Sequence, residues 1–291
     1  MNMKYKNLAI YGNDSQGSHL AEIGDIFSLL KEIGGSVSVE RAFASYLKDK
    51  NLLPEEFVIT DSIGNNIDAV LSIGGDGTFL RAAEWVGAAE KPVLGINTGH
   101  LGYLAGFSAD RLAELAEALS GGGKLTRRMM LEIEGDCVPR GFVATALNEV
   151  VVTKGDTVQM VCVRAYADDF FVAEYMADGL VVSTPTGSTA YNMSVGGPIL
   201  EPSIEGIILS PIAPHSLTMR PLVVGADSRI RLEISSRGKE CHIALDGRLF
   251  PVSAAGSQIV VRRSSLHVNV VFPQGTDFAG VLRKKLLWGR R

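Results

Sequence analysis

Two kinds of apolar spacing alternate along the first part of the chain. Leu8-Ala9-Ile10-Tyr11 is a short aliphatic run ending at Gly12-Asn13-Asp14, and it predicts a buried strand. Leu20, Ile23, Phe27, Leu30 and Ile33 then recur at helical spacing, with Gly34-Gly35 as the expected stop. Val37 and Val39 begin a second strand, and Ala42 to Leu47 reads as helix. Ala69-Val70-Leu71 with Ile73 predicts a central strand, and Phe79 to Trp85 a helix opening on Thr78 as its cap. Pro92 to Ile96 follows as a strand, with Asn97-Thr98-Gly99-His100 as its loop. Ser108 to Leu119 is helical in spacing and ends at Gly121-Gly122-Gly123. Alternation of this kind predicts an α/β domain with a parallel sheet.

Beyond the glycine triplet the helical period largely stops. Short alternating or aliphatic runs take over at Leu147–Thr153, Val158–Tyr166, Phe170–Met176, Leu180–Ser183, Ile230–Ile234, His242–Leu245, Gln258–Val261 and His267–Phe272. Turn residues separate them, as in a β-rich domain. The tail from Asp277 to Trp288 is helical again, with Phe278, Val281, Leu282, Leu286 and Leu287 as its apolar face. A basic amphipathic tail also suits a membrane surface, but a helix packing back on the first domain is the reading adopted. The expected division is therefore 1–122 with 273–291 returning to it, and a β-rich domain over 123–272.

Composition narrows the function. With 291 residues, 46% hydrophobic and 21% charged, the chain has ample core for two domains at about 150 residues each. A formal charge of -4 argues against a nucleic-acid partner, which needs a basic face. His19, His100, His215, His242 and His267 show no ligand spacing, and Cys137, Cys162 and Cys241 form no zinc or redox pattern. Cysteines so few and scattered suggest a reducing compartment. The polar start carries no signal-peptide pattern, and no run approaches the roughly 20 apolar residues of a membrane span. The expectation is a soluble, cytoplasmic protein that engages no membrane.

Two loops carry the chemistry. Gly74-Gly75-Asp76-Gly77-Thr78 lies between a strand and a helix, where backbone N–H groups and the helix dipole converge as in a phosphate cradle. Asp76 would repel a phosphate unless it binds a metal or takes a proton from a substrate hydroxyl. The plainer reading is a tight turn whose Asp caps the helix. Further on, Asp178 to Leu200 feeds a strand into a loop dense in hydroxyls and glycines around a single aromatic, Tyr191. Such a loop suits a polyhydroxylated ligand, with Tyr191 placed to stack on a flat ring. Asn148-Glu149 interrupts an apolar strand, and a buried polar pair needs a ligand or a partner.

Taken in order, these motifs resemble those of the NAD kinase family. They are Gly74 to Thr78, Leu147-Asn148-Glu149-Val150, Asp178-Gly179-Leu180, Ser183 to Tyr191, Gly196 to Ile199, Pro211 to Leu217, Arg220 to Val223 and Asp246-Gly247. The tail Leu282 to Leu286 with Trp288 is similar to the family's last helix. The Gly-Gly-Asp-Gly-Thr loop also occurs in diacylglycerol kinases, sphingosine kinases and phosphofructokinases, whereas Thr-Pro-Thr-Gly-Ser-Thr-Ala-Tyr is far more specific. The resemblance implies transfer of the γ-phosphoryl group of ATP to the adenosine-ribose 2′-hydroxyl of NAD, giving NADP and ADP, with Mg2+ as the divalent metal. It implies an α/β first domain, a β-rich NAD-binding domain, a last helix that returns to the first domain, and a homo-dimer or homo-tetramer.

On the same basis Asp76 is the expected proton acceptor, and Gly74, Gly75, Gly77 and Thr78 shape the phosphate turn. Arg81 is placed to reach an anion, or else is a surface residue. Asn148, Glu149, Asp178, Thr189, Ala190, Tyr191, Asn192, Met193, Ser194, Ala213 and Arg248 complete the expected NAD and ATP contacts, and no residue is assigned as a metal ligand. His215 is read as structural or site-lining. Met176 departs from the family, since many bacterial members carry a basic residue there; Val195 stands where alanine is common. A lipid kinase would leave Ser183 to Tyr191 unexplained. Only Asp76 separates an enzyme from a nucleotide sensor without turnover. A dehydrogenase fits poorly, because the loop lacks G-x-G-x-x-G spacing and no acidic residue after the first strand is placed to read a ribose.

Overall fold

A computed structural model of the chain describes residues 3–14, 19–99, 102–155 and 158–288. His100 of the expected loop, Met1 and Asn2 of the polar start, and 289–291 of the returning tail lie outside the described residues. The chain forms two compact units, Met1–Arg127 together with Val268–Arg291, and Arg128–His267.

The first unit runs β1 (Asn7–Gly12), α1 (Leu20–Ile33), β2 (Ser36–Glu40), α2 (Arg41–Asp49), β3 (Val58–Thr60), β4 (Ala69–Ile73), α3 (Asp76–Val86), β5 (Val93–Asn97), β6 (Phe107–Ser108) and α4 (Leu112–Glu117). Its five main strands are all parallel, in the order β5-β4-β1-β2-β3, as the alternating pattern predicts. Every residue of β4 and β5 is buried, which explains their aliphatic composition. Ile23, Ile26, Phe27 and Leu30 of α1 pack with Ile10, Leu71 and Leu94 in one core. Each such buried side chain contributes about 1.5–3 kcal/mol. Gly34, at φ 68, caps α1 and donates its N–H to Leu30 O, where the Gly-Gly stop was expected.

The second unit is built almost wholly of strands. It begins within β7 (Lys124–Glu134) and continues β8 (Thr145–Ala146), β9 (Glu149–Lys154), β10 (Val161–Ala167), β11 (Phe170–Ala177), β12 (Gly179–Ser183), the single-turn α5 (Tyr191–Ser194), β13 (Gly206–Ile212), β14 (Leu222–Gly225), β15 (Ile230–Leu245) and β16 (Arg248–Phe272). Its strands pair antiparallel in the order β14-β13-β12-β9-β15-β16, with β10 on β15 and β11 on β10. Alternate residues Val150, Val152, Leu180, Val182, Ile243 and Leu245 fill its core. The last residues of β16 belong to the first unit, where Val270 and Val271 run parallel to Val93 and Leu94 of β5. Then α6 (Phe278–Leu286) closes the chain, with Asp277 capping it by accepting from Gly280 N–H.

Several expectations are corrected. The helix expected from Ser108 starts at Leu112, because Phe107 and Ser108 pair with Ile96 and Asn97 as a short strand. Four separate runs between Ile230 and Phe272 are two long strands, β15 and β16, in which register shifts near Ser235 absorb the turn-like residues. Leu287 is no part of the apolar face of α6. It is exposed, at φ 56, beyond the last turn, and Leu282 is the buried residue. Among the described residues, no helix is long and apolar enough to cross a membrane.

Candidate functional site

The Gly-rich loop is positioned by β4. Gly74 takes φ 142, a conformation that L side chains rarely adopt, and its N–H donates to Ile96 O on the neighbouring strand. Gly75 is the N-cap of α3, so neither Asp76 nor Thr78 caps the helix as expected. Thr78 lies inside the first turn, buried, and accepts from the Asn13 side-chain amide at 3.0 Å. At Gly75 and Gly77 a β-carbon would meet nothing within 4 Å, so the fold itself does not demand glycine there. Bare backbone at a helix N-terminus suits close approach by a ligand. Arg81 is exposed one turn further on.

Asp76 points to a loop that sequence reasoning missed. Tyr103 N–H donates to Asp76 Oδ2 at 2.8 Å, while Leu104 and Ala105 N–H both donate to Oδ1 at 3.1 Å. Gly102, just before these donors, has its side-chain space filled by the carboxylate. Burial and the charge of Asp76 push the Tyr103 phenol above its ordinary pKa. The signal in sequence was slight: a glycine and an aromatic shortly after the Asn97–His100 loop.

In the second unit the organising residue is Asp246, at the β15–β16 turn with φ 46. Its Oδ2 accepts from Leu147 N–H at 2.6 Å, and its Oδ1 from Asn148 and Glu149 N–H at 2.8 and 3.1 Å. These bonds take Leu147 and Asn148 out of the strand that was expected to include them, so β9 starts at Glu149. Asn148 and Glu149 are each only 8% exposed. Glu149 Oε2 is buried without a hydrogen-bond partner, while Tyr191 N–H bonds the carboxyl. Burial, reinforced by Asp246, pushes the Glu149 carboxyl up to about 8, so at pH 7 it carries a proton. Burial likewise raises Asp246, against the pull of its three N–H donors.

The hydroxyl-rich loop was expected to offer its polar groups outward, and most of them turn inward instead. Thr184 Oγ1 donates to Leu147 O, Ser188 Oγ to Leu200 O, and Ser183 Oγ to Thr184 O. The side chain of Asn192 is wholly buried, its amide donating to Ser188 and Pro198 O and its Oδ1 accepting from Ser210 Oγ. A buried polar chain must satisfy itself, and this one fixes the loop's shape. What it presents is the Tyr191 ring, 40% exposed, with Ser194 exposed and Thr189, Ala190 and Met193 half-buried. Thr186 keeps a buried, unpartnered hydroxyl.

Two expected residues are already engaged, and a third sits in strained backbone. Asp178 pairs with Lys154 at 2.7 Å. The Arg248 guanidinium donates to Val143 and Thr145 O. Ala213 is exposed, at φ 43, a left-handed conformation costing a non-glycine residue about 1–2 kcal/mol. His215 donates its backbone N–H to Met176 O, and Met176 itself is exposed. The expected residues thus fall into two groups, one around Asp76 in the first unit and one around Asn148, Glu149 and Tyr191 in the second.

Residues 31–124 match the ATP-NAD kinase N-terminal domain and 147–272 the ATP-NAD kinase C-terminal domain. A NAD kinase of Porphyromonas gingivalis is 40% identical over 286 residues, covering 98% of both chains. One of Christiangramia forsetii is 35% identical over 290 residues, covering 97% of this chain and 98% of that one. Among solved structures, an NAD kinase from Archaeoglobus fulgidus in complex with ATP superposes with a TM-score of 0.72 at 26% identity, covering 96% of this chain and 98% of that one. Yeast NADH kinase complexed with NADH shares the fold at a TM-score of 0.86 and 24% identity, covering 99% and 89% respectively. With both family domains matched in order and relatives this similar end to end, the chain belongs to the ATP-NAD kinase family.

Proposed function

We propose that this enzyme is a kinase that transfers the γ-phosphoryl group of ATP to the adenosine-ribose 2′-hydroxyl of NAD, with Asp76 as proton acceptor. One observation carries the role of Asp76. A carboxylate has about four lone-pair sites, and three backbone N–H groups occupy three of them. The site left over is on Oδ2, so the group is held rigidly yet can accept one more hydrogen bond. A ribose hydroxyl is far less acidic than a carboxylic acid, so Asp76 orients it and takes the proton late, as the phosphoryl group transfers through a loose transition state.

The bare N–H edge of Gly75 and Gly77 supports the phosphate-binding role of that turn. In the second unit Tyr191 offers its ring face to the adenine, and protonated Glu149 can donate as well as accept toward a ribose hydroxyl. Mg2+ fits this arrangement. It is held mainly by substrate phosphates and waters, and Asp76, whose one open Oδ2 site is taken by the acceptor hydroxyl, stands beside it without being assigned as its ligand. When bound, the ion neutralises charge building on the phosphoryl oxygens. We read the protein as cytoplasmic and as a homo-dimer or homo-tetramer. The second point is supported by the edge strand β14, where Leu222 and Val223 are exposed.

The test is turnover of purified protein with NAD, ATP and Mg2+, reading NADP with an NADP-specific dehydrogenase, and Asp76→Asn in parallel. The expected outcome is NADP formation by wild type and a loss of about 10²–10⁴-fold in the folded variant. Wild type that binds NAD but forms no NADP would overturn the proposal.

A further inference from the structure

Asp76 is only as well placed as the loop that holds it. That loop, Gly102 to Ala105, supplies the three N–H groups on the carboxylate, one at 2.8 Å on Oδ2 and two at 3.1 Å on Oδ1. Such donors orient a carboxylate only while their own segment stays in place. The loop borders a cavity of about 410 Å³, lined by Gly102, Tyr103 and Gly106 together with Gly280 and Val281 of α6. Open space at this wall means that close packing does not brace the loop there.

A cation–π contact joins this loop to α6. The Lys285 ammonium, in the last turn of the helix, lies over the Tyr103 ring, 5.5 Å from its centre. A cation within about 6 Å of a ring face is drawn to the negative charge of the π-system, more strongly as water is excluded. Lys285 is half-buried, whereas Arg283 and Lys284 beside it are exposed. Among the described residues Lys285 makes no ion pair, and the Tyr103 hydroxyl, shielded from solvent, has no hydrogen-bond partner. The two acids that line the cavity are spent, Glu114 on Arg111 at 3.0 Å and Asp277 on the cap of α6. The helix itself is anchored by that cap and by buried Leu282, and its dipole favours a cation in the last turn.

We propose that Lys285 is a positioning residue for the phosphoryl transfer: its ammonium, seated over Tyr103, holds the loop whose N–H groups aim the Asp76 carboxylate at the acceptor hydroxyl. The inference rests on the reading of Asp76 as proton acceptor and deepens it by naming what keeps the carboxylate in place. Tyr103 carries both contacts. Its N–H donates to Oδ2, the oxygen with the open lone-pair site, and its ring takes the cation. A shift of the ring is therefore a shift of the donor that orients that oxygen. Lys285 acts through the loop and not on substrate, so its loss lowers kcat and leaves both KM values alone.

The experiment compares Lys285→Met, which keeps most of the stem and loses the charge, with Lys284→Met, which does the same at an exposed position of the same turn. The first readout is amide hydrogen exchange, which needs no turnover. Exchange at the Leu104 and Ala105 N–H groups should quicken about tenfold in Lys285→Met only, with β4 and β5 unchanged. The second readout is steady-state kinetics. We expect kcat to fall about tenfold in Lys285→Met, with KM for NAD and for ATP within about twofold of wild type. Lys285→Arg, which restores a cation to the ring, should return both readouts to within about twofold of wild type. A merely structural lysine would lower the melting temperature without splitting kcat from KM. Exchange and kcat that match the Lys284→Met control, or a loss that arginine does not recover, with NADP still formed, would overturn the role of Lys285 and leave the kinase reading intact. Wild type without turnover would sink the kinase reading instead, and exchange would still decide the Lys285–Tyr103 contact. Should Lys285→Met not fold, Lys285→Gln is read in the same way.

Discussion

Gly102 and Asp76 approach so closely that a β-carbon at position 102 would lie 1.8 Å from Asp76 Oδ1. Nothing larger than hydrogen fits there unless the carboxylate moves. Gly102→Ala should therefore displace Asp76 from its three N–H donors while leaving the core strands β4 and β5 intact. We expect kcat to fall by roughly 100-fold, the scale of an ångström-sized misplacement. Near-wild-type kcat in a folded Gly102→Ala protein would show that this contact does not position the carboxylate.

Asp246 should grade by what replaces it. Asparagine keeps Oδ1 for the N–H groups of Asn148 and Glu149 but sets an amide against Leu147 N–H, which now meets Oδ2 at 2.6 Å. Alanine strands all three donors. With unmet buried donors costing about 1–3 kcal/mol each, Asp246→Ala should lose about 3 kcal/mol or more and Asp246→Asn about half of that. Urea unfolding measures both, and equal losses would contradict the assignment.

Glu149 makes stability depend on pH in a direction opposite to most carboxylates. Its folded value, about 8, lies above the ordinary 4.5, so the folded state binds the extra proton between those values. Its contribution is complete below about pH 4.5 and is lost as the pH rises through 8. The melting temperature of wild type relative to Glu149→Gln should fall on the order of 5 °C from pH 5 to pH 9. Parallel curves would remove the case for a protonated Glu149.

The exposed Tyr191 ring makes a sharp pair of variants. If stacking on the adenine is its role, Tyr191→Phe keeps KM for NAD within about twofold and Tyr191→Ala raises it about tenfold. A large effect of the phenylalanine variant would point to the hydroxyl instead.

Much of this was legible in the chain. Strands β1, β4 and β5 announced themselves as short aliphatic runs, and α1 as a helical period ended by Gly34. Legibility failed where the deciding partner was remote. The donors to Asp76 lie 27 to 29 residues away, and those to Asp246 97 to 99 residues away, beyond any local pattern. The hydroxyls of Ser183, Thr184 and Ser188 looked like ligand contacts because composition cannot say which way a side chain turns. Thr78 looked like a cap because Gly75, which has no side chain to advertise it, takes that place.

The first unit is discontinuous, and that orders its biosynthesis. The second unit, Arg128–His267, is a single uninterrupted stretch and can assemble while the ribosome is still translating. The parallel sheet that carries Asp76 lacks the partner of β5 until Val270 and Val271 emerge, and it lacks α6 for longer still. The nascent chain thus completes the unit that holds Asn148, Glu149 and Tyr191 before the unit that holds Asp76. Premature termination anywhere before Val270 leaves β5 without the partner that Val270 and Val271 supply.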